Sequence, residues 1–338
     1  MSRRAAFYLL AAIILSAVCA YVVTALGSFE GAVTLELDWP FIWRDGSDSM
    51  LAAVIANLRV PRVLAALIAG AALAVSGLIL QGVTRNPLAD PFLLGVSGGA
   101  GLAVVVLHAF SGLIDIVGWW VIPTAAFLGA QAATWLVLSL ARGPGGRVTI
   151  LGLILGGVII NSFCAAAITF LLTRFDPLKL RITHMWLAGG VGYVEWGQLA
   201  MAGTGVLLTI VWMRLRAAQL NAFALGEEGA GLVGVNSKRV LRETAWAAGL
   251  LAGIAVSLAG LVGYIGLIVP HVVRLIIGGD FKNTLFFSAV GGALLLVIGD
   301  GAARTVMAPQ EIPVGVLAAL IGTPLLLILI KRELGGKL

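Results

Sequence analysis

Long apolar runs alternate with short polar breaks along the whole chain, a pattern that predicts a series of membrane-crossing helices. Ten runs stand out, at residues 7–26, 61–82, 91–110, 117–141, 149–172, 196–215, 240–259, 261–277, 285–303 and 312–330. Runs of about 20 apolar residues cross a hydrocarbon core about 30 Å thick. In lipid they are helical, because no water is there to satisfy a bare backbone. The division between the seventh and eighth spans rests on Gly260 alone. One polar, charged segment, 214–242, interrupts the series near its middle. The expected fold is therefore all-α: a polytopic membrane protein of about ten transmembrane helices, packed as one compact bundle and one domain over residues 1–338.

Composition agrees with that reading. The chain is 60% hydrophobic and 11% charged, against about 25% charged in ordinary soluble domains. Ala66, Gly70 and Ala74 fall at four-residue spacing, as do Gly152 and Gly156. Small residues so placed let helix backbones approach closely inside a membrane. Cys19 and Cys164 both lie within apolar runs, so neither a disulfide framework nor a metal cluster is expected. The first run follows Arg3-Arg4 and exceeds the 7–15 apolar residues of a signal peptide. Bulky Val18 before Cys19 also spoils a lipoprotein cleavage site, so the run reads as a retained span.

Ten spans put both termini on one side. With the termini inside, the outer basic residues are Arg44, Arg59, Arg62, Arg174, Lys179, Arg181 and Arg304; the others, the majority, lie inside. The positive-inside rule selects this orientation and makes segment 214–242 cytoplasmic. The net charge of +6 is then topological rather than a sign of nucleic-acid binding. Ala74-Val75-Ser76 in the second span recurs as Ala255-Val256-Ser257 in the seventh. Spans five apart run in opposite directions, so spans 2–5 and 7–10 form a possible inverted repeat.

Two stretches carry a specific resemblance. Between spans two and three stands Arg85-Asn86-Pro87-Leu88-Ala89-Asp90-Pro91, continuing as Leu94-Gly95-Val96-Ser97-Gly98-Gly99-Ala100. Pro87 and Pro91 fix φ and stop helix continuation, so the turn is rigid. Within the polar segment, Leu225-Gly226-Glu227-Glu228-Gly229-Ala230-Gly231-Leu232-Val233-Gly234-Val235-Asn236 resembles the cytoplasmic coupling segment of an ABC importer permease. Together with Arg59-Val60-Pro61-Arg62, Gly266-Leu267-Ile268-Val269-Pro270-His271 and Glu311-Ile312-Pro313-Val314-Gly315, these strings resemble the FecCD family over essentially the full chain. That family of permeases imports iron–siderophore complexes, haem and cobalamin. Leu261 departs from it, standing where a proline is usual, and Gly229 and Gly231 weaken the coupling helix.

The resemblance implies a permease acting as a homodimer or pseudo-dimer in the inner membrane, with two ATP-binding-cassette ATPases and an extracytoplasmic substrate-binding protein. It places ATPase coupling on Leu225, Gly226, Glu227, Glu228, Ala230, Leu232 and Gly234. It places docking of the binding protein on Arg59, Arg62 and Arg304, whose rigid forks suit carboxylates. The alternative for these three is snorkelling to the interface. A cytoplasmic gate is implied at Asn86 and Leu88, although Asn86 could instead cap span three. A short re-entrant helix is implied in the outer loop around Trp186–Trp196.

Asp300 and Arg304 lie one helical turn apart and are expected to pair. No pair of His108, His184 and His271 has metal-ligand spacing, and no cofactor or metal is expected. The glycine-rich string Arg142-Gly143-Pro144-Gly145-Gly146-Arg147 lacks the Lys-Ser/Thr of a phosphate loop, so any ATP is hydrolysed by a partner. A secondary transporter or channel would need ionisable groups buried in the spans, and these are nearly uncharged. A membrane-embedded enzyme would need a clustered catalytic set, which the sequence does not show. Among substrates, iron(III)–siderophore is expected first on family prevalence, then cobalamin or haem.

Overall fold

The computed structural model describes residues 3–29, 32–35, 50–110, 118, 120–143 and 148–335. Arg44 and residues 144–147 of the glycine-rich string lie outside them, as does the side chain of Glu227. The elements in order are α1 (Arg3–Ala25), the hairpin β1 (Leu26–Phe29) and β2 (Ala32–Leu35), then α2 (Met50–Val54). A π-helical turn at Ile55–Arg59 runs into α3 (Val60–Thr84). A 3₁₀ turn at Pro91–Leu94 precedes α4 (Val96–Ala109); α5 (Val121–Leu140) and α6 (Ile150–Leu172) follow. The rest are α7 (Pro177–Leu187), α8 (Trp196–Leu215), α9 (Ala217–Ala224), α10 (Glu227–Leu232), α11 (Ser237–Ala259), α12 (Ile265–Ile277), α13 (Phe281–Thr305) and α14 (Val314–Gly335).

All ten expected spans have a helix: α1, α3, α4, α5, α6, α8, α11, α12, α13 and α14. Among the described residues, six are long and apolar enough to cross a membrane; the apolar stretches in α1, α4, α12 and α14 are shorter. With 13 residues, α12 reaches about 20 Å at 1.5 Å per residue, less than a full crossing. Both α4 and α12 start abruptly from left-handed residues, Gly95 at φ 78° and Tyr264 at φ 70°. They are spans three and eight, five apart, as an inverted repeat requires. Packing follows the same exchange, with α3 against α13 and α11 against α5, while α3 and α11 pack against each other.

The antiparallel hairpin, with Leu26 opposite Leu35, is a departure from an all-helical chain. It lies just past the first span, where Gly27 breaks the helical pattern.

Small residues set the core. Ala66, Ala69 and Ala74 of α3 are fully buried, and a methyl group at Gly70 would collide with the carbonyl of Gly292 in α13. Close backbone contact of this kind replaces the hydrophobic driving force that lipid cannot supply. Where α7 ends, three chain segments meet through main chain. The Gly190 N–H donates to Ala259 O at 2.9 Å and the Gly315 N–H to Gly189 O at 3.0 Å. Gly260 sits there at φ 62°, the break expected between spans seven and eight.

Candidate functional site

Three groups of residues stand apart from the apolar bundle: a protruding helix pair, a proline-fixed turn and a cluster of ion pairs. The helix pair is α9–α10. Ala217, Leu220 and Phe223 bury one face of α9. Asn221 ties it to α13, its Nδ2 donating to Asp280 at 2.8 Å and its Oδ1 accepting from the Phe281 N–H at 2.8 Å. Glu243 of α11 holds the other flank through Arg216 at 3.2 Å, and is itself paired within α11 to Arg239 at 2.7 Å. The chain reverses at Gly226, whose φ of 104° excludes other residue types without strain. In α10 the Ala230 side chain is fully buried, its N–H donating to Gly226 O and its O accepting from the Val235 N–H. Gly234 closes the segment at φ 77°, and Asn236 caps α11 by accepting from the Arg239 N–H at 3.1 Å.

Burying Ala230 turns two leucines outward. Leu225 is 74% exposed and Leu232 is 90% exposed, with Val233 beside it; Glu228 is exposed too. Together they form an apolar knob on an otherwise polar segment. A side chain at Gly226 would meet the Arg85 guanidinium, so the knob lies beside the neighbouring turn.

That turn is the string 85–95. Arg85 takes the left-handed cap of α3 at φ 52°, a position more often held by glycine. Asn86 Oδ1 accepts from the Leu88 N–H at 2.9 Å and its carbonyl from the Ala89 N–H at 3.1 Å. The cap before span three is Asp90, which accepts from the Phe92 N–H at 2.8 Å. This corrects the expectation that Asn86 might serve there: Asn86 folds its own turn instead. Burial pushes the Asp90 carboxyl up to about 6, against the lowering effect of the Phe92 N–H. Asn161 of α6 clamps the turn from behind, donating to Phe92 O at 2.9 Å and accepting from the Gly98 N–H at 3.1 Å. Leu88 is exposed and Asn86 half-buried.

The ion-pair cluster lies at the opposite ends of α3 and α13. Arg62 Nε lies 3.2 Å from each Asp300 oxygen, and Nη2 donates to Asp300 Oδ1 at 3.0 Å. Nη1 and Nη2 donate to the two oxygens of Glu311 at 3.1 and 3.0 Å. Arg304 Nε lies 3.3 Å from Asp300 Oδ2, the pair foreseen one helical turn apart. Its Nη2 donates to Val23 O of α1 at 3.0 Å. Arg59 is buried in the π-helical turn, with Nη1 3.4 Å from Ala25 O. The structure thus brings Arg62 and Arg304 together on Asp300, foreseen as a partner of Arg304 alone, and adds Glu311, which the sequence assigned to neither. None of the three arginines stands free at a span end.

One other expectation moves. The short helix of the loop before α8 is α7, ending at Leu187 rather than lying within 186–196. Asp176 caps it through the Lys179 N–H at 3.0 Å and Pro177 opens it, whereas Gly189 and Gly190 cannot prolong it. Asp176-Pro177 was the available signal. His108 bonds Thr183 at 2.8 Å and so fastens α7 to α4. Among the described residues no group of His, Cys, Asp and Glu could hold a metal ion.

A lipid-spanning bundle with paired short helices and an exposed apolar knob defines a membrane permease. The chain matches the FecCD transport family over residues 8–332 and belongs to it. It is 39% identical to the hemin transport system permease protein HmuU of Yersinia pestis over 314 residues, 92% of this chain and 93% of the relative. It is 37% identical to the vitamin B12 import system permease protein BtuC of Yersinia pseudotuberculosis over 300 residues, 88% and 87% of the two chains. Its fold is similar to that of a metal-chelate-type ABC transporter solved in an inward-facing conformation. That match has a TM-score of 0.82 and 28% identity, over 96% of this chain and 99% of the other.

Proposed function

We propose that this chain forms the translocation path of an inner-membrane ABC importer for haem, cobalamin or another metal chelate, as one of two identical permease subunits. Two ATPases supply the energy and an extracytoplasmic binding protein delivers the substrate; both termini lie in the cytoplasm. The observation that carries this reading is the α9–α10 knob, with Leu225 and Leu232 outward and Ala230 locked inward, in a chain of the FecCD family. A rigid protrusion of this shape suits a groove on an ATPase. Leu225, Gly226, Glu227, Glu228, Ala230, Leu232 and Gly234 make up the contact or its hinge. Arg62, with Arg304 behind it, receives carboxylates of the binding protein; buried Arg59 supports them. Asn86 and Leu88, on the turn beside the knob, narrow the cytoplasmic exit.

Haem is the substrate that α7 favours. Its exposed face carries Leu178, Arg181, Ile182, His184 and Met185. Arginine pairs with propionates, and His and Met side chains ligate haem iron. The test is uptake by proteoliposomes holding the permease with its ATPase and binding protein, offered haem, cobalamin and a ferric siderophore in turn. ATP-dependent haem uptake supports the reading, and Leu88→Trp should block it while ATP hydrolysis continues. Uptake of cobalamin or siderophore alone would reject haem; uptake without ATP would reject the importer.

A further inference from the structure

Arg62 presents two edges that can each grip a carboxylate, and both are filled from within the chain. Asp300 takes the Nε/Nη2 edge and Glu311 the Nη1/Nη2 edge. The two acids are not equivalent. Asp300 is 1% exposed, lies on α13 and is shared with Arg304. Glu311 is 55% exposed and sits in the connector between α13 and α14, facing water. One edge of the guanidinium is built in and the other is open to exchange.

The geometry points to Glu311 as an internal stand-in for the binding protein's carboxylate: docking exchanges one acid for another on Arg62 rather than adding a new one. This rests on the docking reading above. A third carboxylate finds no free bidentate edge, and bidentate geometry is what makes such pairs strong. Asp300 cannot be the one that leaves, because Arg304 and Arg62 would then face each other with their shared counter-charge gone. Glu311 can swing into water at little cost, since a pair this exposed contributes little. The exchange keeps the charge of the cluster unchanged while altering what the chain is tied to. Once Glu311 lets go, the connector is held by the Ile312 N–H donating to Ala303 O at 3.0 Å. Beyond it the Gly315 N–H donates to Gly189 O, so release at Glu311 is felt at the start of α14 and the end of α7. Glu311 thereby sets both the affinity of docking and the message it sends.

The experiment measures binding of fluorescently labelled, substrate-loaded cognate binding protein to the complete permease–ATPase complex in nanodiscs. Glu311→Gln should tighten binding about two- to fivefold, the range an exposed ion pair allows. It should also steepen the salt dependence, because docking then forms a net new ion pair. The gain should vanish in an Arg62→Gln background, as coupled neighbours require. Glu311→Asp, shorter but still charged, should fall between wild type and Glu311→Gln and controls for loosening of the connector. Unchanged or weaker binding by Glu311→Gln overturns the exchange. If Arg62→Gln alone leaves docking intact, the docking reading itself is wrong, a result separable from the first.

Discussion

Replacing Asp300 by asparagine should destabilise the permease far more than replacing Glu311 by glutamine, although both acids touch the same arginine. Asp300 is fully buried, accepts three contacts from Arg62 and lies against Arg304. Asparagine keeps the shape but removes the charge that balances two guanidiniums. Removing one partner from a buried pair costs about 3–5 kcal/mol. Asparagine keeps one oxygen acceptor, so about 3 kcal/mol is expected here. The Glu311 pair is open to water, and such pairs contribute about 0.2–1 kcal/mol. In a chain of this size 1 kcal/mol moves Tm by about 2 °C. Asp300→Asn should therefore melt roughly 6 °C lower and Glu311→Gln within about 2 °C of wild type. Thermal melting followed by size-exclusion of the detergent-solubilised protein reads both. Raising the salt to 0.5 M should leave the Asp300 effect in place, because buried charges are poorly screened. Equal, small shifts for the two variants would show that Asp300 is reached by water and that the cluster is a surface feature.

Gly226→Val and Ala230→Leu should uncouple ATP hydrolysis from uptake, since one strains a φ of 104° and the other forces a larger side chain into a filled site; normal uptake by a well-expressed double variant would sink the knob as the ATPase contact. Asp90 gives a pH signature. Its folded carboxyl titrates near about 6 against 3.8 in the free chain, so the folded state holds a proton that the unfolded chain releases. Its contribution is present below pH 3.8 and is lost as pH rises through about 6. Asp90→Asn retains a cap oxygen and should gain on wild type in melting temperature between pH 5 and pH 7.5. If wild type gains instead, the Phe92 N–H outweighs burial.

Much of this architecture is legible in the sequence because lipid imposes one rule on every span. Apolar length placed all ten helices, and Gly260 marked the weakest division correctly. The Asp300–Arg304 pair was legible because i,i+4 spacing is local. The second partner of Asp300 was not: Arg62 lies 238 positions away, and no local pattern joins them. The α7 helix escaped a reading based on hydropathy because Lys179, Arg181 and His184 interrupt it, although its Asp-Pro start was visible. The burial of Arg59 was also hidden, since a basic residue near a span end reads as an interfacial anchor until α1 is seen beside it. For the proline-fixed turn, the sequence offered Asn86 as the cap, and only the path of the chain between Pro87 and Pro91 decided for Asp90.

The joint where Gly189, Gly190, Ala259 and Gly315 meet is made of peptide groups, with no side chain in the bonds that close it. Peptide groups have no rotamers, so this joint cannot adjust by small side-chain steps as a packed core can. It behaves as a fulcrum. The end of α7, the turn between α11 and α12 and the start of α14 must pivot about it together, and any opening at that end of the bundle has to bend elsewhere. The sharp starts of α4 and α12 are the natural places for that bending.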